Sequence, residues 1–288
     1  MSVKIITDST SYIPKEIKED LDIEVVSLNV IFDGESYREV DIKNEEFYKK
    51  MEETGEIPTS SQPAISEVLE IFKNKVSNGD KIVGIFMSSE MSGTYQTANM
   101  IKEMVLEEYP EAEIEIIDSR TNCMQMGYGA IVAAREAKNG KDIQDVVLKA
   151  NDTLSKSRFL FLPETLKYLK KGGRIGGAQA LLGGLLKITP ILTVEDGKTT
   201  IYSKVRTKKR AVETVSNKVI EDMLEKGLGE ITIHHINCED EGIALKQNIE
   251  AKLKEHGLET NVLIESIGPI IGLHVGPGSI GVAYYTKN

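Results

Sequence analysis

Ile82-Val83-Gly84-Ile85-Phe86-Met87-Ser88-Ser89-Glu90-Met91-Ser92-Gly93-Thr94-Tyr95 is the stretch on which the chain turns. The apolar run from Ile82 to Phe86 predicts a buried parallel strand, since strands covered on both faces lose the polar alternation of half-exposed ones. Apolar residues at Met100, Ile101, Met104 and Val105 then follow at the spacing of one helix face. The order is strand, hydroxyl-rich loop, helix. Backbone N–H groups at a helix start, with the positive end of the dipole, attract an anion. Ser92 and Thr94 add hydroxyl donors, and Gly93 lets a ligand approach the backbone. The same residues also suit a plain helix cap, and this segment alone leaves both readings open.

Two further strands end in the same way. Val3 to Ile6 runs into Thr7-Asp8-Ser9-Thr10-Ser11, and Ile114 to Ile117 runs into Asp118-Ser119. In open α/β sheets the ligand crevice lies outside the carboxyl ends of the strands. Three such ends therefore favour a site over a cap. Between them, Ile23 to Phe32 is rich in β-branched residues, and Asn44 opens a helix. Gly55 to Pro63 reads as a loop by its breakers. Ile65, Val68, Leu69 and Phe72 mark a helix, and two more are predicted from Gly129 to Lys138 and from Asp142 to Leu154.

From Phe159 the pattern changes. Thr189 to Val194, the turn Glu195-Asp196-Gly197 and Thr199 to Val205 predict a hairpin, which the first half lacks, so a mixed sheet is expected there. Long helices are expected from Lys208 to Glu225 and from Gly242 to His256, with strands at Ile231 to Ile236, Val262 to Ile264 and up to Tyr285. The expected architecture is α/β with two α/β domains. Residues 1–160 form the first, with a mostly parallel sheet flanked by helices. Residues 161–288 form the second, with a mixed sheet and helices.

Composition narrows the function. The chain has 288 residues, 40% of them apolar, enough for two cores. A net charge of −10 argues against nucleic acid as a partner and against a polybasic membrane patch. No apolar run reaches the roughly 18 residues of a membrane span, so stable membrane insertion is not expected. Cys123 and Cys238 form neither a disulfide framework nor a zinc spacing, which suits a reducing cytoplasm. The start Met1-Ser2-Val3-Lys4-Ile5-Ile6 reads as a strand rather than a signal peptide.

Several motifs lose to plainer readings. Gly276-Pro277-Gly278-Ser279-Ile280-Gly281 matches G-x-G-x-x-G, but a strand follows where the dinucleotide fingerprint requires a helix. His234 and His235 are neighbours on a strand and point to opposite faces. His256 ends a helix, where a cation suits the dipole. His274 lies in a glycine- and proline-rich loop without structural duty, which makes it a ligand-contact candidate. No metal spacing, nucleophile elbow or Walker sequence is present, so neither a metal nor another cofactor is expected. Lys170, Lys171 and Arg174, and then Lys204, Arg206, Lys208, Lys209 and Arg210, concentrate base in an acidic chain. They form either a solvated face or a docking patch for an acidic partner or phosphate. An anion site without a recognisable base, nucleophile or metal favours binding over catalysis.

Taken in order, Thr7-Asp8-Ser9-Thr10, Ser61-Gln62-Pro63, Ser88-Ser89-Glu90-Met91-Ser92-Gly93-Thr94-Tyr95, Asp118-Ser119, Leu166 to Leu169 with Gly172-Gly173-Arg174-Ile175, and His274-Val275-Gly276-Pro277-Gly278 resemble the DegV family. Those are bacterial fatty-acid-binding proteins that serve a fatty acid kinase, and the likeness runs nearly the whole length. It implies one long-chain fatty acid, such as palmitate, held as ligand between two α/β domains. The carboxylate is expected at hydroxyls equivalent to Ser60 and Ser92, with Ser61, Gly93, Thr94 and His274 around them. Arg206, with Arg174, is expected to serve kinase docking or the phosphoryl step. The family usually has Thr-Ser-Gln-Pro where this chain has Ser60-Ser61-Gln62-Pro63, so the methyl is lost, and Thr59 offers an alternative hydroxyl. The resemblance makes the protein a cytoplasmic carrier in lipid metabolism, not a catalyst. Its rivals are a serine-dependent acyl hydrolase or phosphotransferase using Ser92, and a regulatory sensor loaded with lipid. Candidates for the apolar lining are Ala178 to Leu186 and Ile267 to Leu273, which also suit ordinary core.

Overall fold

Val3–Asp8 opens the chain as β1, followed by α1 (Lys15–Leu21), β2 (Glu24–Val26), β3 (Asn29–Phe32), β4 (Glu35–Arg38), α2 (Asn44–Thr54) and β5 (Thr59–Ser61). Next come α3 (Ile65–Ser77), β6 (Lys81–Phe86), α4 (Thr94–Glu108), β7 (Ile114–Asp118), α5 (Cys123–Lys138) and α6 (Ile143–Ser155). The chain continues through β8 (Ser157–Leu162), α7 (Lys167–Lys171), β9 (Thr189–Glu195), β10 (Lys198–Val205), α8 (Lys208–Lys226) and β11 (Leu228–Ile236). It closes with α9 (Glu239–Glu255), β12 (Val262–Ser266), α10 (Pro269–Val275) and β13 (Ser279–Thr286). This computed structural model describes residues 2–182 and 188–288. Two units result: Met1–Asp41 with Ser60–Ser155, and Ile42–Thr59 with Lys156–Asn288.

In the first unit β2, β1, β6 and β7 pair in that order, all parallel. Strand order reverses between β1 and β6, which is where an open α/β sheet offers its crevice. A small sheet of β4, β3 and β5 lies in the same unit, so the β-branched run Ile23 to Phe32 divides between two sheets. Val68, Phe72 and Val76 of α3 and Ala98, Ile101 and Val105 of α4 join Ile6, Ile82 and Phe86 in the core. Each valine, isoleucine and phenylalanine among them contributes about 1.5–3 kcal/mol by leaving water. Met100 and Met104, expected on the buried face of α4, are instead 44% and 40% exposed. The buried stripe runs through Thr94, Ala98, Ile101 and Val105, so Ile101 and Val105 face the sheet as expected, while Thr94 and Ala98 take the places read for the methionines. Helix α5 starts at Cys123, earlier than its pattern suggested, and runs through Gly127 and Gly129. A Cβ built on Gly129 would lie 2.9 Å from Leu154 of α6, so close helix packing offsets the weak propensity of glycine.

The second unit has a mixed sheet in the order β10, β9, β8, β13, β11, β12. Only β11 and β12 are parallel; the other neighbours run antiparallel, including the hairpin β9–β10. The fold is thus α/β with one parallel and one mixed sheet, as expected, but the small third sheet holds the antiparallel β3–β4 hairpin, closed by Asp33 and Gly34, where the first half was expected to have none. Helix α2 belongs here although it lies early in sequence. Its buried Tyr48 donates to the carbonyls of Ile267 (2.8 Å) and Gly268 (3.0 Å), and Asn44 Nδ2 donates to Ser266 Oγ at 3.0 Å. Ala178 and the apolar side chains from Ile267 to Leu273 are buried. Of the expected lining segment, residues 183–186 lie outside the described residues.

Candidate functional site

Two carboxylates hold the hydroxyl loop from either side. Asp8 ends β1 and is wholly buried. Its Oδ2 accepts from the Met87 N–H at 2.8 Å, and its Oδ1 accepts from the Thr10 N–H at 3.0 Å and from the Thr10 hydroxyl. Burial pushes its carboxyl above the ordinary range, against the pull of those donors. Asp118 ends β7, and its Oδ1 accepts from the N–H of Ser89 (3.2 Å) and of Arg120 (2.9 Å). The Ser88 N–H donates to the Thr121 carbonyl at 2.8 Å. The loop after β6 is therefore tied to the strand ends on both sides of it. Neither aspartate stands out by spacing, though each is the acid that closes an apolar run.

Within the loop, Ser92 Oγ and Thr94 Oγ1 lie 2.8 Å apart, and Ser92 Oγ accepts from the Thr94 N–H at 3.3 Å. Gly93 occupies the N-cap position of α4 and supplies no side-chain cap. Ser92 thus makes a short turn contact two residues on, rather than the N-cap bond that was one of the two readings of this loop. The two hydroxyls carry two protons, and their mutual bond uses one. Thr94 is buried and Ser92 half-buried.

The segment Ser60-Ser61-Gln62 belongs to the same unit. Ser60 and Ser61, on β5, are half-buried, whereas Thr59 is exposed. Gln62 then packs its amide on Gly93, and its Oε1 accepts from the Thr97 hydroxyl. Ser92, Gly93, Thr94 and the segment bearing Ser60 and Ser61 are so linked through Gln62, a connection that spacing alone could not show.

In the second unit His274 lies on the short helix α10, not in a loop. Gly268 caps that helix and Pro269 opens it, because proline's fixed φ and missing N–H suit the first helical position. A Cβ built on Gly172 would lie 2.2 Å from His274 Nδ1, so only glycine admits the ring there. Arg174 Nη1 donates to the Gly172 carbonyl at 2.8 Å. Burial, and then the Arg174 charge, hold the imidazole at a pKa of about 4, so it is neutral at pH 7. Two motifs far apart in sequence thus meet at one histidine.

The basic segment after β10 is less free than its sequence suggests. Lys208 pairs with Glu164 at 3.1 Å and also with Glu241. Burial lowers its pKa, but the bonds to those carboxylates outweigh it and leave the ammonium more basic than usual. Arg206 is exposed just before Thr207, whose Oγ1 caps α8 by accepting from the Arg210 N–H at 3.2 Å. His234 is fully buried and His235 borders a cleft of about 820 Å³ with Asn44 and Glu239. Among the described residues no His, Cys, Asp or Glu group is arranged to hold a metal ion, and no helix is long and apolar enough to cross a membrane.

A sequence model of the DegV family, described as an uncharacterised protein family, matches residues 2–287. A DegV domain-containing protein of Clostridium acetobutylicum is 55% identical over 287 residues, spanning 100% of this chain and 99% of that protein. A DegV family protein from Thermus thermophilus, whose structure was reported for fatty acid binding, superposes with a TM-score of 0.90 at 28% identity, over 99% of this chain and 100% of its own. DegV from Bacillus subtilis, solved as a fatty acid binding protein, gives 0.87 at 31% identity over 100% of both chains. With the match running from residue 2 to residue 287 and the fold shared along the full length, this chain belongs to the DegV family.

Proposed function

We propose that this chain binds one long-chain fatty acid, such as palmitate, and carries it to a separate fatty acid kinase that makes the acyl phosphate. The observation that carries this reading is the Ser92–Thr94 pair at the reversal point of the parallel sheet. Its one shared bond, 2.8 Å long, leaves a hydroxyl proton to donate to an anion. Similar proteins solved as fatty acid binders support the choice of anion. Ser60 and Ser61, on β5 of the same unit, are the neutral hydroxyl groups proposed to complete the head-group site. His274, in its own unit, is neutral at pH 7 and would act through an N–H rather than a charge. Arg206, and Arg174 beside it in role, would serve the kinase.

A nucleophilic Ser92 would need a base on its oxygen. The partners of Ser92 Oγ are the hydroxyl and the amide of Thr94, and neither is a base. The carrier reading is therefore preferred to a hydrolase. Mass spectrometry of an organic extract of purified protein tests it, with a long-chain fatty acid as the expected find. Titration with a fluorescent fatty acid should then show Ser92→Ala about 1.5–3 kcal/mol weaker than wild type, roughly tenfold to a hundredfold. An extract free of lipid, or equal affinities for a folded variant, would refute the assignment.

A further inference from the structure

Gln62 is more than a neighbour of the serines. A Cβ built on Gly93 would lie 2.3 Å from Gln62 Nε2 and 3.0 Å from its Cδ, so the side-chain amide rests on the Gly93 backbone between Ser92 and Thr94. The Thr97 hydroxyl, one turn into α4, donates to Gln62 Oε1, and Asn29 Nδ2 donates to the Gln62 backbone carbonyl at 3.1 Å. In this arrangement Oε1 faces the Thr97 hydroxyl and Nε2 faces Gly93. Nε2, with its two N–H groups, is thereby turned to the hydroxyl loop. Gln62 is exposed, so those groups are open to a ligand. Both ends of the residue are fixed, and a pre-set donor loses less freedom on binding than a swinging one.

We propose that the Gln62 side-chain amide is a further hydrogen-bond donor to the carboxylate received by Ser92, with Thr97 as the positioning residue that orients it. The inference rests on the fatty-acid reading above and extends it to a residue that is not a hydroxyl.

The test is competition of palmitate and of hexadecanol against a fluorescent fatty acid at pH 8, on wild type, Gln62→Ala and Gln62→Glu, each checked for fold by circular dichroism. Gln62→Glu keeps the length and the acceptor for Thr97, but replaces the donor with a charged oxygen. A donor role predicts that palmitate binding falls about tenfold in Gln62→Ala and further still in Gln62→Glu, while hexadecanol binding changes less than about threefold in either. Gly93→Ala, which displaces the amide, should behave toward palmitate like Gln62→Ala. A merely structural role predicts the reverse order, with Gln62→Glu nearer to wild type and both lipids falling together; that result overturns the proposal. So does equal palmitate binding by wild type and Gln62→Glu, which would leave the fatty-acid reading intact. Failure of the wild type to bind either lipid would reject that reading and this one with it.

Discussion

Lowering the pH from 7.5 to 5 should remove about 2 kcal/mol of stability from the second unit through one residue, His234. The ring is fully buried on β11, where Nδ1 lies 3.2 Å from the Glu265 carbonyl of β12 and Phe159 packs edge-on at 5.8 Å. Burial holds its pKa down at about 4, against 6.5 in the unfolded chain. Between those values the unfolded state binds the proton and the native state does not, so stability falls as pH falls. At pH 5 the unfolded imidazole is about 97% protonated and the native one about 9%, which integrates to the ~2 kcal/mol above and rises to ~3.4 below pH 4. The assay is urea unfolding followed by circular dichroism at pH 7.5 and pH 5.

His234→Asn is the control. Its amide can still donate to Glu265 O, but it does not titrate. The smaller side chain costs roughly 1–3 kcal/mol at both pH values through the space it leaves. The loss between pH 7.5 and pH 5 should nevertheless be about 2 kcal/mol smaller than in wild type. His235, also held low by burial, and His274 remain in both proteins and cancel in the comparison. Equal pH losses in wild type and His234→Asn would refute the reasoning.

Asp8→Ala should cost about 2–5 kcal/mol in the urea midpoint, because the buried N–H groups of Met87 and Thr10 lose their acceptor; a neutral result would mean that the carboxylate braces nothing. Gly272→Ala places a methyl 1.9 Å from Tyr48 Oη and should lower the melting temperature sharply. Adding Tyr48→Phe should recover part of that loss, and strict additivity in thermal melts would show that the two do not meet. Arg206→Ala should titrate fluorescent fatty acid like wild type yet fail to support acyl-phosphate formation with a fatty acid kinase and ATP; parallel loss of both would move Arg206 into the lipid site.

The two sheets were legible because each announces itself locally. Continuous apolar runs marked the parallel strands, and Glu195-Asp196-Gly197 marked the hairpin that makes the second sheet mixed. What sequence could not show was which distant groups meet. Met100 and Met104 fit the helical period, but the sheet face is the stripe Thr94, Ala98, Ile101 and Val105, which leaves them outside it. His274 looked like a loop residue because Gly268, Pro269 and Gly276 flank it, yet Pro269 starts a helix there. Lys208 looked like part of a free basic run until Glu164 and Glu241, far off in sequence, took it up. The helix Asn44–Thr54 reads as part of the first half by position, and only the Tyr48 bonds to Ile267 and Gly268 assign it to the second unit. Ser92 and Thr94 were found by residue type, whereas Asp8, Asp118 and Gln62 stood in motifs without a role until their bonds supplied one.

The division of labour in the loop explains why an anion site would be built around acids. Asp8 and Asp118 accept backbone N–H groups of the loop, so their charge is spent on fixing its shape. The donors left for a ligand are neutral. Two or three such donors to a carboxylate contribute about 1.5–3 kcal/mol each, while some 14 methylenes of a palmitoyl chain at ~0.8 kcal/mol apiece contribute about 11. On the proposed reading the chain therefore supplies most of the affinity, and the head-group donors supply orientation. On the same reading, a buried arginine in their place would add a stronger charge-assisted grip on the oxygen that is proposed to become the acyl phosphate. Neutral donors hold that oxygen well enough to present it and weakly enough to let it go. That is the property a carrier needs and a permanent lipid store does not.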